Sequence, residues 1–267
     1  MKKDMEVVIR EDNKVTGDLV VKCYEVDANK VLKPTAFMDM AQEMAYQAAG
    51  AMHFGYDELI SQGMAWVLAR MHFRFVDPPR WNDRVSIQTW HRGPAGPFFI
   101  RDFKLTSGER TLVECTSSWV VMDVSTRRMA RPEDILPTEG TVCHDVAIQA
   151  PSSKVMMPRG VESFPAGVHK VAYSDIDLIG HTNNARYLAW AMDCLDYPTG
   201  GITVRDVEIT FHHEARANES VTLRKAVVEE DGPSGNGSTA FIEGRTDEAQ
   251  VFCARISYFV ASSTPRR

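Results

Sequence analysis

At 267 residues, 44% hydrophobic and 25% charged, the chain has the composition of an ordinary soluble globular protein with room for one large domain or two small ones. Its formal charge of −6 argues against a nucleic-acid footprint, and nowhere do the roughly eighteen consecutive apolar residues of a membrane span occur. Cys23, Cys115, Cys143, Cys194 and Cys253 are scattered without a C-x-x-C pair, which points to free thiols in a reducing compartment. The opening M-K-K-D-M-E is followed neither by a signal-peptide core nor by an Arg- and Ser-rich plastid leader, so the expected location is cytoplasmic.

In chain order, the first sustained periodicity is helical: Phe37, Met38, Ala41, Met44, Ala45, Ala48 and Ala49 form one apolar stripe closed by Gly50. Residues 66–76, 84–91, 98–106 and 111–124 are rich in β-branched and aromatic side chains and read as strands, with Ser107-Gly108 turning the last pair. Arg70, Arg74, Arg80 and Arg84 recur here and are candidates to face an acidic partner, although a solvated strand face is the commoner fate of such arginines. Between Pro137 and Gly167 the prolines, glycines and serines interrupt every period. A linker is placed there, at residues 141–165 and with room for a short strand, between units at 1–140 and 166–267.

The stretch Y-S-D-I-D-L-I-G-H-T-N-N-A-R-Y-L-A-W, from Tyr173 to Trp190, carries the densest chemistry. Tyr187, Leu188, Ala191, Met192 and Leu195 take helical spacing, Asn183 or Asn184 is a natural N-cap, and Pro198 with Gly200 stops the helix. Capping accounts for one or two polar residues, not for Asp175, Asp177, His181 and both asparagines together. Strands follow at 202–211, 220–229, 239–245 and 250–261, the last two joined through Thr246-Asp247. The run G-P-S-G-N-G-S at 232–238 reads as a mobile hairpin loop and S-S-T-P-R-R as a frayed tail.

Laid against itself, the chain repeats. An offset of 150 sets Asp27 over Asp177 and Phe37 over Tyr187; an offset of 136 sets Asn82 over Asn218, Asp83 over Glu219 and Val85 over Val221. The second copy therefore lacks about fourteen residues found at 50–65 of the first. Each half reads as one long helix followed by antiparallel strands, an α+β pattern in which a curved sheet wraps its apolar face around the helix. The copies differ at one telling position: Val31 stands where the second has His181.

Asp177, Gly180, His181, Asn183, Asn184, Tyr187 and Trp190 resemble the D-x-x-G-H-x-N-N-x-x-Y-x-x-W signature of hot-dog fold thioesterases. W-V-L-A-R-M-H-F-R (Trp66 to Arg74), W-N-D-R-V-S-I-Q-T-W (Trp81 to Trp90) and V-E-I-T-F-H-H-E-A (Val207 to Ala215) are similar, in the same order, to segments of the acyl-acyl carrier protein thioesterases of plants and bacteria. The resemblance implies a tandem hot-dog fold, two curved antiparallel sheets each wrapped around a long helix. It implies hydrolysis of fatty acyl-acyl carrier protein without a cofactor or metal. The partner it implies is acyl carrier protein bearing a phosphopantetheine-linked acyl chain, with the arginine-rich segment as its docking candidate. In such enzymes the first half receives the acyl chain, which makes Met38, Met44, Ala45, Trp66 and Met71 candidate lining residues; flexible thioethers suit a tunnel of adjustable shape. Two fused halves mimic a dimer within one chain and leave a homodimer open.

Thioester hydrolysis needs an activated water, donors for the oxyanion, and a proton for the leaving thiolate. The residues matching the family's catalytic positions are Asp177, His181 and Glu214. Either acid is a candidate base, with His181 polarising the water or the carbonyl. Backbone N–H groups near Asn183 and Asn184 are candidate oxyanion donors at a helix N-terminus. If residues 211–214 are strand, His212 and Glu214 share a face and His213 points away. The family places Asn where this chain has Ile179, and plant members often carry Cys where it has Ala215. The first departure leaves open a weakly active or non-catalytic acyl-thioester-binding protein. Other readings are acyl-CoA hydrolysis, hydroxyacyl dehydration on the same fold, and a metal hydrolase using His181, His212, His213 and Glu214, though no tight ligand motif is present.

Overall fold

The computed structural model describes residues 7–130, 141–149, 152–198, 201–230 and 237–260. The chain divides into two units, Met1–Ser152 and Ser153–Arg267. The glycine-rich run at 231–236, Pro137, Pro151, Gly200 and the tail after Val260 lie outside the described residues.

In the first unit, strands β1 (Val7–Ile9), β2 (Val15–Val20), β3 (Met64–Phe75), β4 (Arg84–Ala95), β5 (Phe98–Ser107) and β6 (Arg110–Asp123) accompany helices α1 (Pro34–Ala51) and α2 (Tyr56–Ser61). The strands run antiparallel in the order β1-β2-β4-β5-β6-β3. Pro34 opens α1 at a position where its missing N–H costs nothing and its fixed φ already suits a helix. The buried face of α1 includes Phe37, Met38, Ala41, Met44, Ala45, Ala48 and Ala49. Phe37 anchors it, with ring centroids 5.1 Å from Phe73 and 6.4 Å from Phe75. The helix overruns Gly50 and closes where the Met52 N–H reaches the Ala48 and Ala49 carbonyls. Helix α2 then fills the stretch that the second copy lacks.

The second unit holds β7 (Phe164–Lys170), α3 (Asn184–Asp193), β8 (Ile202–Phe211), β9 (Ser220–Glu230), β10 (Gly237–Arg245) and β11 (Gln250–Val260), in the order β8-β11-β10-β9-β7. Tyr187 takes the place of Phe37, its ring 5.9 Å from Phe211 and 5.6 Å from Phe252. Helix α3 stops at Asp193, well before Pro198, as the Cys194 and Leu195 N–H groups fold back onto the Ala191 and Met192 carbonyls. Each unit is thus an antiparallel sheet packed on one main helix, and the molecule is a tandem hot-dog fold.

The two offsets seen in the sequence reappear bond by bond. Val21 N–H to Asp83 O (3.0 Å) matches Val171 N–H to Glu219 O (2.9 Å), and Asn82 N–H to Val21 O (2.9 Å) matches Asn218 N–H to Val171 O (2.9 Å). Asn82 and Asn218 both take the left-handed backbone that asparagine tolerates, with φ of 71° and 72°. The interiors have diverged. Two residues along from Phe73, the helix-facing cross-strand row of the first unit is Met71, Ser117, Arg101 and His91. The corresponding row of the second is Val207, Ile256, Ala240 and Val227, all apolar.

The segment expected as a linker is bound at both ends. Cys143 N–H donates to His91 O (2.9 Å), Ala147 N–H to the buried Asp102 carboxylate (2.8 Å), and the Trp90 indole to Asp145 O (2.7 Å), all within the first unit. Val155 N–H bonds Thr210 Oγ1 (2.9 Å) and Arg224 holds Ser163, within the second, before β7 begins. Among the described residues no helix is long and apolar enough to cross a membrane.

Candidate active site

A tight turn carries His181. The Asp177 carboxylate accepts the Ile179 N–H (3.0 Å) and the His181 N–H (3.1 Å), while Asp177 N–H bonds His181 O (2.8 Å) and Gly180 N–H bonds Asp177 O (3.0 Å). The same turn exists in the first unit: Asp27 accepts from Asn29 (2.8 Å) and Val31 (2.9 Å), its N–H bonds Val31 O (2.8 Å), and Lys30 N–H bonds Asp27 O (3.0 Å). An aspartate that folds back on its own loop is a turn-former. Asp27 and Asp177 do that work in their respective copies, although only the second has a histidine to present.

Glu214 arrives from the end of β8. The strand stops at Phe211, and the N–H groups of both His212 (2.8 Å) and His213 (3.4 Å) converge on Val251 O. The expectation of strand alternation through Glu214 therefore fails, because two successive donors share one acceptor and the ladder ends. Ala215 is buried and gripped from both sides: Thr182 Oγ1 donates to its carbonyl (2.5 Å) and its N–H donates to the Tyr187 hydroxyl (2.9 Å). Burial raises the Tyr187 pKa, so the phenol stays neutral as it accepts. Thr182 follows His181 and Ala215 follows Glu214, so this pair of bonds sets His181 Nε2 3.5 Å from Glu214 Oε1. The first unit has the matching contact, Leu32 N–H to Pro79 O (2.9 Å), but presents Val31 and Pro78 there. The fold brings these two loops together in both copies; only the second puts a base and an acid on them.

Asn183 is the N-cap of α3, its side-chain oxygen accepting the Ala185 N–H (2.8 Å), and its carbonyl accepts the Arg186 N–H (2.9 Å). Those two N–H groups are thereby committed within the helix. The Ile179 side chain is exposed at the turn tip beside Leu178, which is 88% exposed. Among the described residues His181, His212, His213 and Glu214 do not gather into a metal-holding set. The thiol of Cys194 donates to Trp190 O (3.2 Å), and burial pushes its pKa up to about 11 and that of Cys253 up to about 12, leaving both unreactive.

A second cluster lies beneath the turn, and of its members only His169 stood unmarked in the sequence. The buried carboxylate of Asp175 contacts His169 Nε2 (2.9 Å) and accepts from the Ala172 N–H (2.8 Å) and the Trp190 indole (3.3 Å), and the His169 ring stacks on Trp190 at 4.3 Å. Burial opposes the charged form, yet the bonds from His169 and Ala172 outweigh it and hold the Asp175 pKa below the usual carboxylate value. The only sequence signal for His169 was the repeat, which aligns it with Leu19.

In the first unit Met38, Met44, Ala45 and Met71 are buried, and Trp66 is half-buried with its indole bonded to Phe54 O (3.0 Å). The four arginines have different surroundings. Arg70 lies 4.8 Å from the Phe98 ring and bonds Ser152 O (3.4 Å), and Arg74 pairs with Glu114 at 3.6 Å. Arg84 starts β4, and β5 and β6 lie between it and β3, roughly 14 Å away at the usual strand spacing. Arg80, in the β3–β4 loop, donates to Asn29 O (2.9 Å).

Comparison with known proteins agrees with this construction. Residues 12–137 match the acyl-ACP thioesterase N-terminal domain and residues 162–249 the acyl-ACP thioesterase C-terminal domain. The chain is 25% identical over 263 residues to oleoyl-acyl carrier protein thioesterase 1, chloroplastic, of Arabidopsis thaliana, covering 89% of this chain and 70% of that protein. It is 28% identical over 210 residues to the chloroplastic dodecanoyl-[acyl-carrier-protein] hydrolase of Cinnamomum camphora, covering 72% of this chain and 51% of that one. The fold is shared with an acyl-ACP thioesterase from Bacteroides thetaiotaomicron (TM-score 0.76, 21% identity, 93% and 98% of the two chains). It is also shared with the 12:0-ACP thioesterase from Umbellularia californica (TM-score 0.76, 20% identity, 92% and 94%). With the models of both family domains matched in order along it, the chain belongs to the acyl-ACP thioesterase family.

Proposed function

We propose that this protein hydrolyses the thioester of fatty acyl-acyl carrier protein, releasing free fatty acid and ending chain elongation. The observation that carries the reading is the His181–Glu214 pair, 3.5 Å apart on loops that the fold also joins in the first unit, where the residues are Val31 and Pro78. Glu214 takes a proton from water as the water oxygen attacks the thioester carbon. The His181 Nε2–H faces the oxygen that becomes negative, and the collapsing intermediate expels the phosphopantetheine thiolate, which takes up the proton held by Glu214. Asp177 shapes the turn, since its carboxylate already serves two backbone N–H groups. Met38, Met44, Ala45, Trp66 and Met71 of the first unit line the acyl chain's path, supported by the burial of Met38, Met44, Ala45 and Met71 and by the flexibility of the methionine thioethers. Arg70, Arg74, Arg80 and Arg84 supply the positive charge for docking an acidic carrier.

The test is thiol release from acyl carrier protein thioesters of graded chain length beside the matching coenzyme A thioesters. Glu214→Gln and His181→Ala are expected to lower turnover by about 10²- to 10⁴-fold. Acyl binding without thiol release by the unaltered protein would refute the reading, and release from coenzyme A thioesters alone would refute the carrier assignment.

A further inference from the structure

The first unit serves as an internal control for the second, because both build the same turn and only one presents chemistry. Three differences around that turn concern residues that the reaction does not touch. Leu19, Glu25 and Met40 of the first unit correspond to His169, Asp175 and Trp190 of the second. Glu25 makes the minimal contact, accepting the Lys22 N–H (2.6 Å), as Asp175 does with Ala172 (2.8 Å). The second unit adds the indole of Trp190 and the imidazole of His169 on the same buried carboxylate, and stacks the two rings. In both units the backbone of this acid closes the base of the turn: the Asp175 carbonyl accepts the Asn183 N–H (2.8 Å), as the Glu25 carbonyl accepts the Lys33 N–H (2.9 Å). A carboxylate fixed by strand β7 through His169, by helix α3 through Trp190 and by the chain itself through the Ala172 N–H cannot tilt independently of them, and its own backbone carbonyl is tied to the Asn183 N–H.

We infer that His169, Asp175 and Trp190 are positioning residues, a clamp that keeps the His181 turn in register with Glu214. The kinetic part of this inference rests on the thioesterase reading. A turn without the clamp folds, as the first unit demonstrates, but it lets the imidazole wander, and misplacement of about 1 Å costs on the order of 10²-fold in rate.

The experiment uses the full-length protein with His169→Leu, the residue found at the matching position of the first unit, and His169→Gln, which keeps a donor for Asp175. With acyl carrier protein thioester as substrate, His169→Leu is expected to lower kcat by about 10- to 100-fold with KM within about twofold, and His169→Gln to restore most of it. Amide hydrogen exchange at Ile179, His181 and Asn183, read by NMR, is expected to quicken in the Leu variant and to remain slow in the Gln variant. Unchanged kcat, a loss confined to KM, a Gln variant as poor as Leu, or unaltered exchange would each overturn the clamp. A protein that releases no thiol even unaltered would overturn the thioesterase reading instead, and the exchange comparison would still decide the clamp.

Discussion

Replacing His91 by Phe is expected to flatten the acid limb of the stability profile. The ring is buried on β4, 5.9 Å from Phe54 and 6.0 Å from Phe99, and its Nδ1 accepts the Gly93 N–H (3.4 Å). Burial first, and then the charge of Arg101 directly across the ladder, push its pKa from 6.5 down to about 4. The unfolded chain therefore takes up a proton as the pH falls through about 6.5, while the folded protein refuses it until about 4. The stabilisation is complete above the unfolded value and drains away as pH drops toward the folded one. A gap of this size corresponds to about 3 kcal/mol in full, of which roughly 2 kcal/mol is lost between about pH 7.5 and about pH 5. Urea unfolding across that range, at constant m-value, gives both profiles. His91→Phe should lose about 2 kcal/mol less than the unaltered protein over the interval, since the Gly93 bond it forfeits is independent of pH. Parallel profiles would refute the argument. Arg101→Met provides a cross-check, because removing the neighbouring charge raises the His91 pKa and shrinks the slope.

Three further outcomes follow from the geometry. Asp177→Ala and Asp27→Ala should destabilise by similar amounts, about 1–2 kcal/mol each, because the two carboxylates hold identical turns; Asp177→Asn, which still accepts both N–H groups, should keep turnover within about tenfold. Chemical denaturation and thiol release read these, and a turnover loss in Asp177→Asn as deep as in Glu214→Gln would return Asp177 to the chemistry. Ile179→Asn should raise turnover by about tenfold or more by supplying the amide that the family carries at this position, and unchanged kinetics would mean that the site is organised without it. Gly244→Ala should cost about 1–3 kcal/mol in a thermal melt, because an added Cβ would enter the Phe252 ring and come within 3.0 Å of Val221; an unshifted Tm would show that β10 and β11 can separate.

Long alternating strands and the repeat were readable because each rests on local pattern: Ile202–Phe211 is a strand with the same bounds in sequence and structure. Strand β7 was not, since it is an edge strand with Pro165 and Gly167 in its span and almost no buried side chain to create a period. Asp27, visible as a repeat partner of Asp177, held the information that the aspartate belongs to the turn, but that became evident only once both sets of hydrogen bonds could be compared. The end of β8 at Phe211 depends on the Val251 carbonyl, nearly forty residues away in sequence, and no local pattern announces it. The spacing of the arginines along the chain says little about their spacing in space, because neighbours along the chain in β3 and β4 are not neighbours in the sheet.

The divergent interior rows have a consequence for how such a protein can change. In an assembly of two identical chains every substitution is made twice, so a charge admitted beneath one helix is forced beneath the other. Here Arg101 and His91 occupy one interior while Ala240 and Val227 keep the matching row of the other free of polar groups. Covalent fusion releases each copy from copying its twin: one side can drift toward new ligands while the other stays committed to its reaction, and a single mutation alters a single site.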